Sequence, residues 1–272
     1  IFNLRDLSRI TEGIMCATPD KFTTTDQIVR LLRHETMRIV CDRLVGDADK
    51  TFVATKISES MQSTFPDETQ AAMEDPCIFG DFLLFNEIAE AANAGGGGDL
   101  VRLYEDLGDY GKIKPVLMEV LDNYNMVNKA MNLVLFDDCL DHLVRVHRLM
   151  RLPRGNALLV GIGGSGKQSI TRLAAYTGGA DVFTITLTRG YNETLFREDL
   201  KTLYGMLATK PVAFFFSDAH VAEEGFLEVR HPVSIWYPVS IWWPLSVLWP
   251  GLAPCYLALV ALVPPPCLPC SR

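Results

Sequence analysis

The sequence predicts an α/β protein: a doubly wound parallel sheet, cut short, with a mainly helical region before it and a tail of a different kind after it. Three observations carry this. Between residues 153 and 218, apolar runs alternate with helical periods in the order β-α-β-α-β, the layout of parallel strands joined by crossover helices. Upstream, apolar residues recur at helical spacing. Beyond residue 230 the composition changes abruptly, since every residue from Pro232 to Ser271 is uncharged. The expected divisions are therefore 1–130, mainly helical; 131–229, the truncated sheet domain; and 230–272, a tail that is no domain.

The whole chain has 272 residues, 49% of them hydrophobic and 21% charged, which suits a globular protein and not a disordered one. Its 33 acidic and 25 basic residues give a net charge of −8, which argues against nonspecific nucleic-acid binding and against a basic membrane-attachment surface. Seven cysteines, at 16, 41, 77, 139, 255, 267 and 270, are too scattered for a disulfide scaffold. The start IFNLRDLSRI has no signal-peptide apolar run, so a reducing, cytoplasmic compartment is expected.

In chain order, Thr24 and Gln27 have capping-box spacing and open a helix with Ile28, Leu32 and Ile39 on one face. The run AANAGGGGDL at 91–100 reads as a flexible loop, because four glycines carry maximal backbone entropy. A second helix is expected over 137–150 from Leu140, Leu143, Val144 and His147, with His147 packed or at the surface and not a ligand.

The segment that carries chemistry follows. An apolar strand, NALLV at 156–160, leads into GIGGSGKQS at 161–169 and then into a helix with Ile170, Leu173 and Ala174, ended by Gly178 and Gly179. Gly161, Gly166 and Lys167 match the G-x-x-x-x-G-K core of a phosphate-binding P-loop, with Ile162, Gly163, Gly164 and Ser165 inside it. Glycines let backbone N–H groups close on a phosphate, the helix adds its partly positive N-terminus, and Lys167 supplies the cation. The position after the lysine, usually a Mg²⁺-binding Ser or Thr, is Gln168, with Ser169 next, which puts metal coordination in doubt.

Two more strands are expected, DVFTITLT at 181–188 and VAFFFSD at 212–218, separated by a helix at 193–207. Asp218 ends an apolar strand as a Walker B aspartate does, and it is the candidate Mg²⁺ group. After it come Ala219 and His220, with Glu223 and Glu224 at least a helical turn further on.

In the tail, prolines at 232, 238, 244 and 250 recur every six residues, too often for a helix or a central strand. A membrane-spanning helix needs ~20 residues, whereas the longest proline-free stretch runs only from Cys255 to Val263. The tail is expected to be the end of a faulty gene model, and the Cys267–Cys270 pair within it lacks the second pair of a zinc site.

Taken together, PRGNALLVGIGGSGKQSITRLAAY, TLTRGYN, EDLKTLY and FFFSDAHVAEEGFLE resemble the fourth AAA+ module of dynein heavy chains, closest to the axonemal, outer-arm kind. The lysine-glutamine-serine ending is similar to that module, which makes Gln168 a family trait. Upstream, FNLRDLSRI, LLRHETMRIVCDRLV, FGDF and LVLFDDCLDHLVRVHRLMR resemble the stretch joining the third module to the fourth. The resemblance covers about residues 1–229. It implies a truncated P-loop AAA+ sheet that binds ATP or ADP with Mg²⁺, and a regulatory role in a microtubule motor of the cytoskeleton and the cilium axoneme. Neighbouring AAA+ modules, other dynein subunits and, through the whole motor, microtubules are the implied partners.

The resemblance places Arg5 in the sensor-type arginine region of the preceding module. Many P-loop ATPases of the AAA+ type use a glutamate directly after the Walker B aspartate to orient water, and Ala219 stands there, so the chain alone is not expected to hydrolyse ATP. The resemblance also implies a sheet order of 5-1-4-3-2 whose fourth strand is missing, leaving the P-loop and Walker B strands without their shared neighbour. Two other functions compete: a free-standing P-loop kinase or ATPase with the tail as hydrophobic anchor, and a nonenzymatic fragment that binds dynein subunits.

Overall fold

The first two helices start where side chains satisfy free backbone N–H groups. The computed structural model describes residues 2–93, 102–152, 155–221, 226 and 256–263. It divides into two compact units, one of Ile1–Leu152 with Tyr176–Gly178, the other of Pro153–Ala175 with Gly179–Arg272. In the first unit, Asn3 Oδ1 accepts the Arg5 N–H at 2.9 Å and Asp6 accepts the Asn3 N–H at 2.9 Å, opening α1 (Leu4–Ile14). Gln27 Oε1 accepts the N–H groups of Thr23 at 2.8 Å and Thr24 at 3.3 Å, opening α2 (Thr25–Val40). Then come α3 (Asp47–Thr64), α4 (Thr69–Ala72), β1 (Phe79–Gly80), α5 (Phe85–Asn93), β2 (Glu105–Asp106), α6 (Tyr110–Val127) and α7 (Asp137–Arg151). Strands β1 and β2 pair antiparallel.

The unit's core joins apolar side chains, among them Leu31, Phe79, Phe82, Leu117 and Leu140, to a buried polar network. Arg148 pairs with Glu35, which also accepts the Tyr104 hydroxyl at 2.9 Å. His147 Nε2 lies 2.5 Å from Asp81 Oδ1, and Arg151 lies 2.9 Å from the other carboxylate oxygen. Burial opposes ionisation of Asp81, but the bond from His147 and the charge of Arg151 outweigh it, holding the carboxyl below its ordinary range. Gly13 is buried where α1 meets Glu35, and a Cβ there would overlap the Glu35 carboxylate.

Two expectations change here. Ile28 is 37% exposed, while Val29, Leu31, His34, Glu35 and Ile39 are buried on α2, because the buried face includes paired polar groups that an apolar count leaves out. Residues 91–93, expected as loop, close α5; the glycine run at 95–98 lies outside the described residues. His147 is fully buried and packed.

The second unit holds β3 (Asn156–Gly161), α8 (Lys167–Gly178, whose last three residues count with the first unit), β4 (Asp181–Thr184), α9 (Glu193–Leu207), β5 (Val212–Ser217) and β6 (Tyr256–Val263). Gly179, at φ 71°, ends α8 with the Ala180 N–H bonded to the Ala175 carbonyl at 2.9 Å, a Schellman stop. Asn192 Oδ1 accepts the Leu195 N–H at 3.1 Å and starts α9.

The sheet order is β3-β6-β5-β4. β4 and β5 are parallel, and β6 runs antiparallel to both β3 and β5, so β3, β4 and β5 share one direction. This corrects the expected gap: β6, from the one tail stretch long enough without proline, is the shared neighbour of the P-loop strand and β5, although it enters reversed and makes the sheet mixed. The proline repeat itself lies outside the described residues. β4 stops at Thr184, short of 188, because Ile185 leaves the sheet for a cluster with Phe196, Phe216 and Phe226, where it is 3% exposed. Among the described residues no helix is long and apolar enough to cross a membrane.

Candidate nucleotide-binding site

β3 delivers the glycine loop to the sheet's edge, and α8 begins at Lys167 immediately after it. Gly164 and Gly166 both take φ 79°, a left-handed conformation that side chains disfavour. At Gly161 a Cβ would sit 3.2 Å from Ser165 Oγ and 3.7 Å from Lys167 Nζ, so the loop closes tightly on its own lysine. Lys167 Nζ donates to the carbonyls of Gly161 and Ile162, both at 2.7 Å, and to Ser165 Oγ at 3.1 Å. All three ammonium protons are thereby directed inward over the loop. Ile162, Gly163, Gly164 and Ser165 are exposed, as is Gln168, while Ser169 is half-buried beside it on the first turn of α8.

Registers bring the second half of the site to the same edge. Gly161 at the end of β3 pairs with Tyr256, and Ser217 at the end of β5 pairs with Ala258, two residues along the same strand. The two strand ends are thus two inter-strand spacings across and two residues along, roughly 12 Å apart, at the carboxyl edge where α/β sheets bind ligands. Asp218 follows Ser217 directly and begins a 3-10 turn, Asp218–His220; its side chain lies outside the described residues.

His220, for which the sequence suggested no task, accepts the Ser217 N–H on Nδ1 at 2.9 Å and packs edge-on to Phe215, fixing the chain as it leaves β5. The i, i+3 spacing of Ser217 and His220 is the local signal for it. Glu223 and Glu224 lie outside the described residues, and Arg5 is exposed on the first turn of α1. The TRGY turn is held by Gly190 at φ 79° and by the Tyr191 hydroxyl, which donates to Asp199 Oδ2 at 2.5 Å. Burial first, and then Asp199, raise the Tyr191 pKa, which keeps that proton in place.

A tight glycine loop around a lysine, a helix N-terminus and an acid after the next strand but one are the parts that a nucleotide's phosphates call for. Fold and loop together define a P-loop nucleotide-binding module of the AAA+ class. The model of the P-loop containing dynein motor region D4 matches residues 131–231, and that of the AAA+ lid domain matches residues 1–80. The chain is 52% identical over 233 residues to the dynein-1-alpha heavy chain of the flagellar inner arm I1 complex of Chlamydomonas reinhardtii, and 49% identical over 231 residues to human dynein axonemal heavy chain 10. Each alignment takes in 84% of this chain and 5% of the relative, so the chain spans about one-twentieth of those proteins' length. The chain belongs to the axonemal dynein heavy chain family. The first of these relatives is named for an inner arm, where the sequence had suggested an outer-arm type.

Proposed function

We propose that this chain carries an ATP- or ADP-binding regulatory module of an axonemal dynein microtubule motor, of the inner-arm kind, working in the cilium axoneme. Its partners in this reading are neighbouring AAA+ modules and other dynein subunits and, through the whole motor, microtubules. Residues 1–130 represent the end of the third module and its connection to the fourth, with Arg5 as the sensor-type arginine. The observation that carries the reading is the Lys167 loop and the Ser217–Asp218 strand end at one sheet edge, in a sequence about half identical to axonemal dyneins.

In this function Gly161–Ser169 would hold the phosphates, the backbone N–H groups by direct donation and Lys167 by charge. Mg²⁺ would neutralise phosphate charge, with Asp218 as its protein partner and water completing the shell, as this cation prefers. Ala219 has no group to orient water and Gln168 no hydroxyl for the metal, so the module binds nucleotide and turns it over slowly.

The test is Lys167→Ala titrated with a fluorescent ADP. Binding is expected to disappear while the unfolding midpoint stays; equal affinity in both proteins would reject the site. In a single-turnover assay, Ala219→Glu should raise the rate, the missing group commonly being worth about 10²- to 10⁴-fold.

A further inference from the structure

Within the helical unit, a cavity of about 370 Å³ opens between α2, α3 and α7, a volume in the range that holds small organic ligands. Its polar wall is Arg38 from α2, Lys50 from α3 and Arg145 from α7, with Asp42 of the 3-10 turn Cys41–Arg43 among them. Met37 and Leu44 give it an apolar side.

The two arginines are bonded less well than their burial requires. The Arg38 side chain is only 14% exposed, yet among the described residues its guanidinium meets two carboxylates at long range, Asp42 at 3.4 Å and Asp141 at 4.0 Å. Its Nε–H is buried without an acceptor. Arg145 reaches Asp141 at 2.6 Å and Asp42 at 3.2 Å with its Nη groups, but its Nε–H is likewise buried and unpartnered. A guanidinium carries five donors, and burying them without acceptors costs free energy. Asp42 is divided between the two. Burial, the largest influence on its carboxyl, raises the pKa against the lowering effect of Arg38 and Arg145. Lys50 adds a third cation, and its contact with Asp47, 3.4 Å away and 98% exposed, holds it weakly.

We propose that this cavity binds a phosphomonoester, with the phosphoryl oxygens on Arg38 and Arg145, Lys50 closing from α3, and the carbon stem against Met37 and Leu44. A carboxylate has acceptors for one guanidinium. A phosphoryl group brings three oxygens and close to two negative charges, enough for both arginines and the lysine. A small turn of either guanidinium toward the cavity presents its Nε–Nη edge, the fork that phosphate fits. Asp42 then acts as an internal competitor, holding the arginines until the ligand arrives and repelling it as it enters. Two sources share this chemistry, a free small molecule and a phosphorylated serine of another protein segment. The site lies wholly in the helical unit and does not rest on the nucleotide reading.

The full chain is titrated by calorimetry with phenyl phosphate, inorganic phosphate and the tripeptide glycyl-phosphoseryl-glycine. All variants carry Lys167→Ala, so that the glycine loop takes no part, and each has its unfolding midpoint measured. Phenyl phosphate should bind saturably, weakened roughly 10- to 100-fold by Arg38→Gln or Arg145→Gln and tightened roughly 10-fold by Asp42→Asn. Arg38→Lys, which keeps the charge without the fork, should fall between the parent and Arg38→Gln. Arg33→Gln removes the same charge from α2 but breaks contacts to Asp75 and to the Ala72 and Glu74 carbonyls instead. It should lower the midpoint and leave affinity unchanged. Tighter binding of the tripeptide than of phenyl phosphate supports the site with a phosphorylated protein as its ligand, and the reverse supports it with a free small molecule. Failure of all three ligands to bind below roughly 10 mM overturns the proposal. So does unchanged affinity in both Arg38→Gln and Arg145→Gln, an equal loss in Arg33→Gln, or an Asp42→Asn protein that binds no better than its parent.

Discussion

In the helical unit, Glu35 and Arg148 are 1% and 5% exposed and face each other among leucines, with Asp81, His147 and Arg151 joined in the same way nearby. In the sheet unit the interior holds Ile185, Phe196, Phe216 and Phe226, packed against Phe183 and Phe214, and Lys167 stands outside it, at the start of α8. The first arrangement is conditional, since each buried charge is tolerated only while its partner stays. The second is graded, since area can be lost piece by piece. The sheet unit has one conditional element of its own, the backbone pairing of β6.

That exception gives the largest expected effect. Leu259→Pro removes an N–H from a strand bonded on both sides, at the level of Leu158 and Phe216, and should abolish the cooperative unfolding transition of the sheet unit. A transition that survives, seen by tryptophan-independent circular dichroism, would show that the phenylalanine core closes without β6. Next, Arg148→Ala strands the Glu35 carboxylate and should cost about 3–5 kcal/mol in urea denaturation, whereas Arg148→Met with Glu35→Leu should recover most of it. A double variant as unstable as the single would break the contrast between the units.

A smaller effect comes from His34. Burial first, and Arg38 second, hold its pKa well below 6.5; its Nδ1 meets the Cys77 carbonyl at 2.9 Å and its Nε2 is buried without a hydrogen-bond partner. The unfolded chain takes up that proton below about pH 6.5 and the folded chain does not. Stability is therefore full above that pH and declines as pH falls toward the depressed folded value, by up to about 1.4 kcal/mol per unit. His34→Gln should flatten this part of the stability–pH curve. Smallest, Asn192→Ala removes the α9 cap at the surface of the sheet unit and should cost about 1 kcal/mol by thermal unfolding.

Local chemistry was legible in the sequence. The Thr24–Gln27 box, the two glycines closing α8 and the α9 span at 193–207 all depend on neighbours within a few residues, and so does the P-loop. What escaped depends on distant partners. His147 meets an aspartate 66 positions away and Arg148 a glutamate 113 away, and no periodicity announces such pairs. β6 finds Leu158 from position 259, so an apolar run amid prolines gave no hint of its place or direction. Of the site, the loop was readable from its glycine-lysine spacing between an apolar strand and a helix, but its meeting with the end of β5 needed the registers on β6.

Gly13 has a consequence for how this sequence can change over generations. A methyl group there would collide with Glu35, a shorter acid at 35 would draw back from Arg148, and a neutral residue at 148 would leave the acid unpaired. Positions on α1, α2 and α7, separated by 22 and 113 residues, can therefore drift only together. A lone substitution at any of them meets a fitness barrier that a compensated trio would bypass, so the three should be inherited as one character.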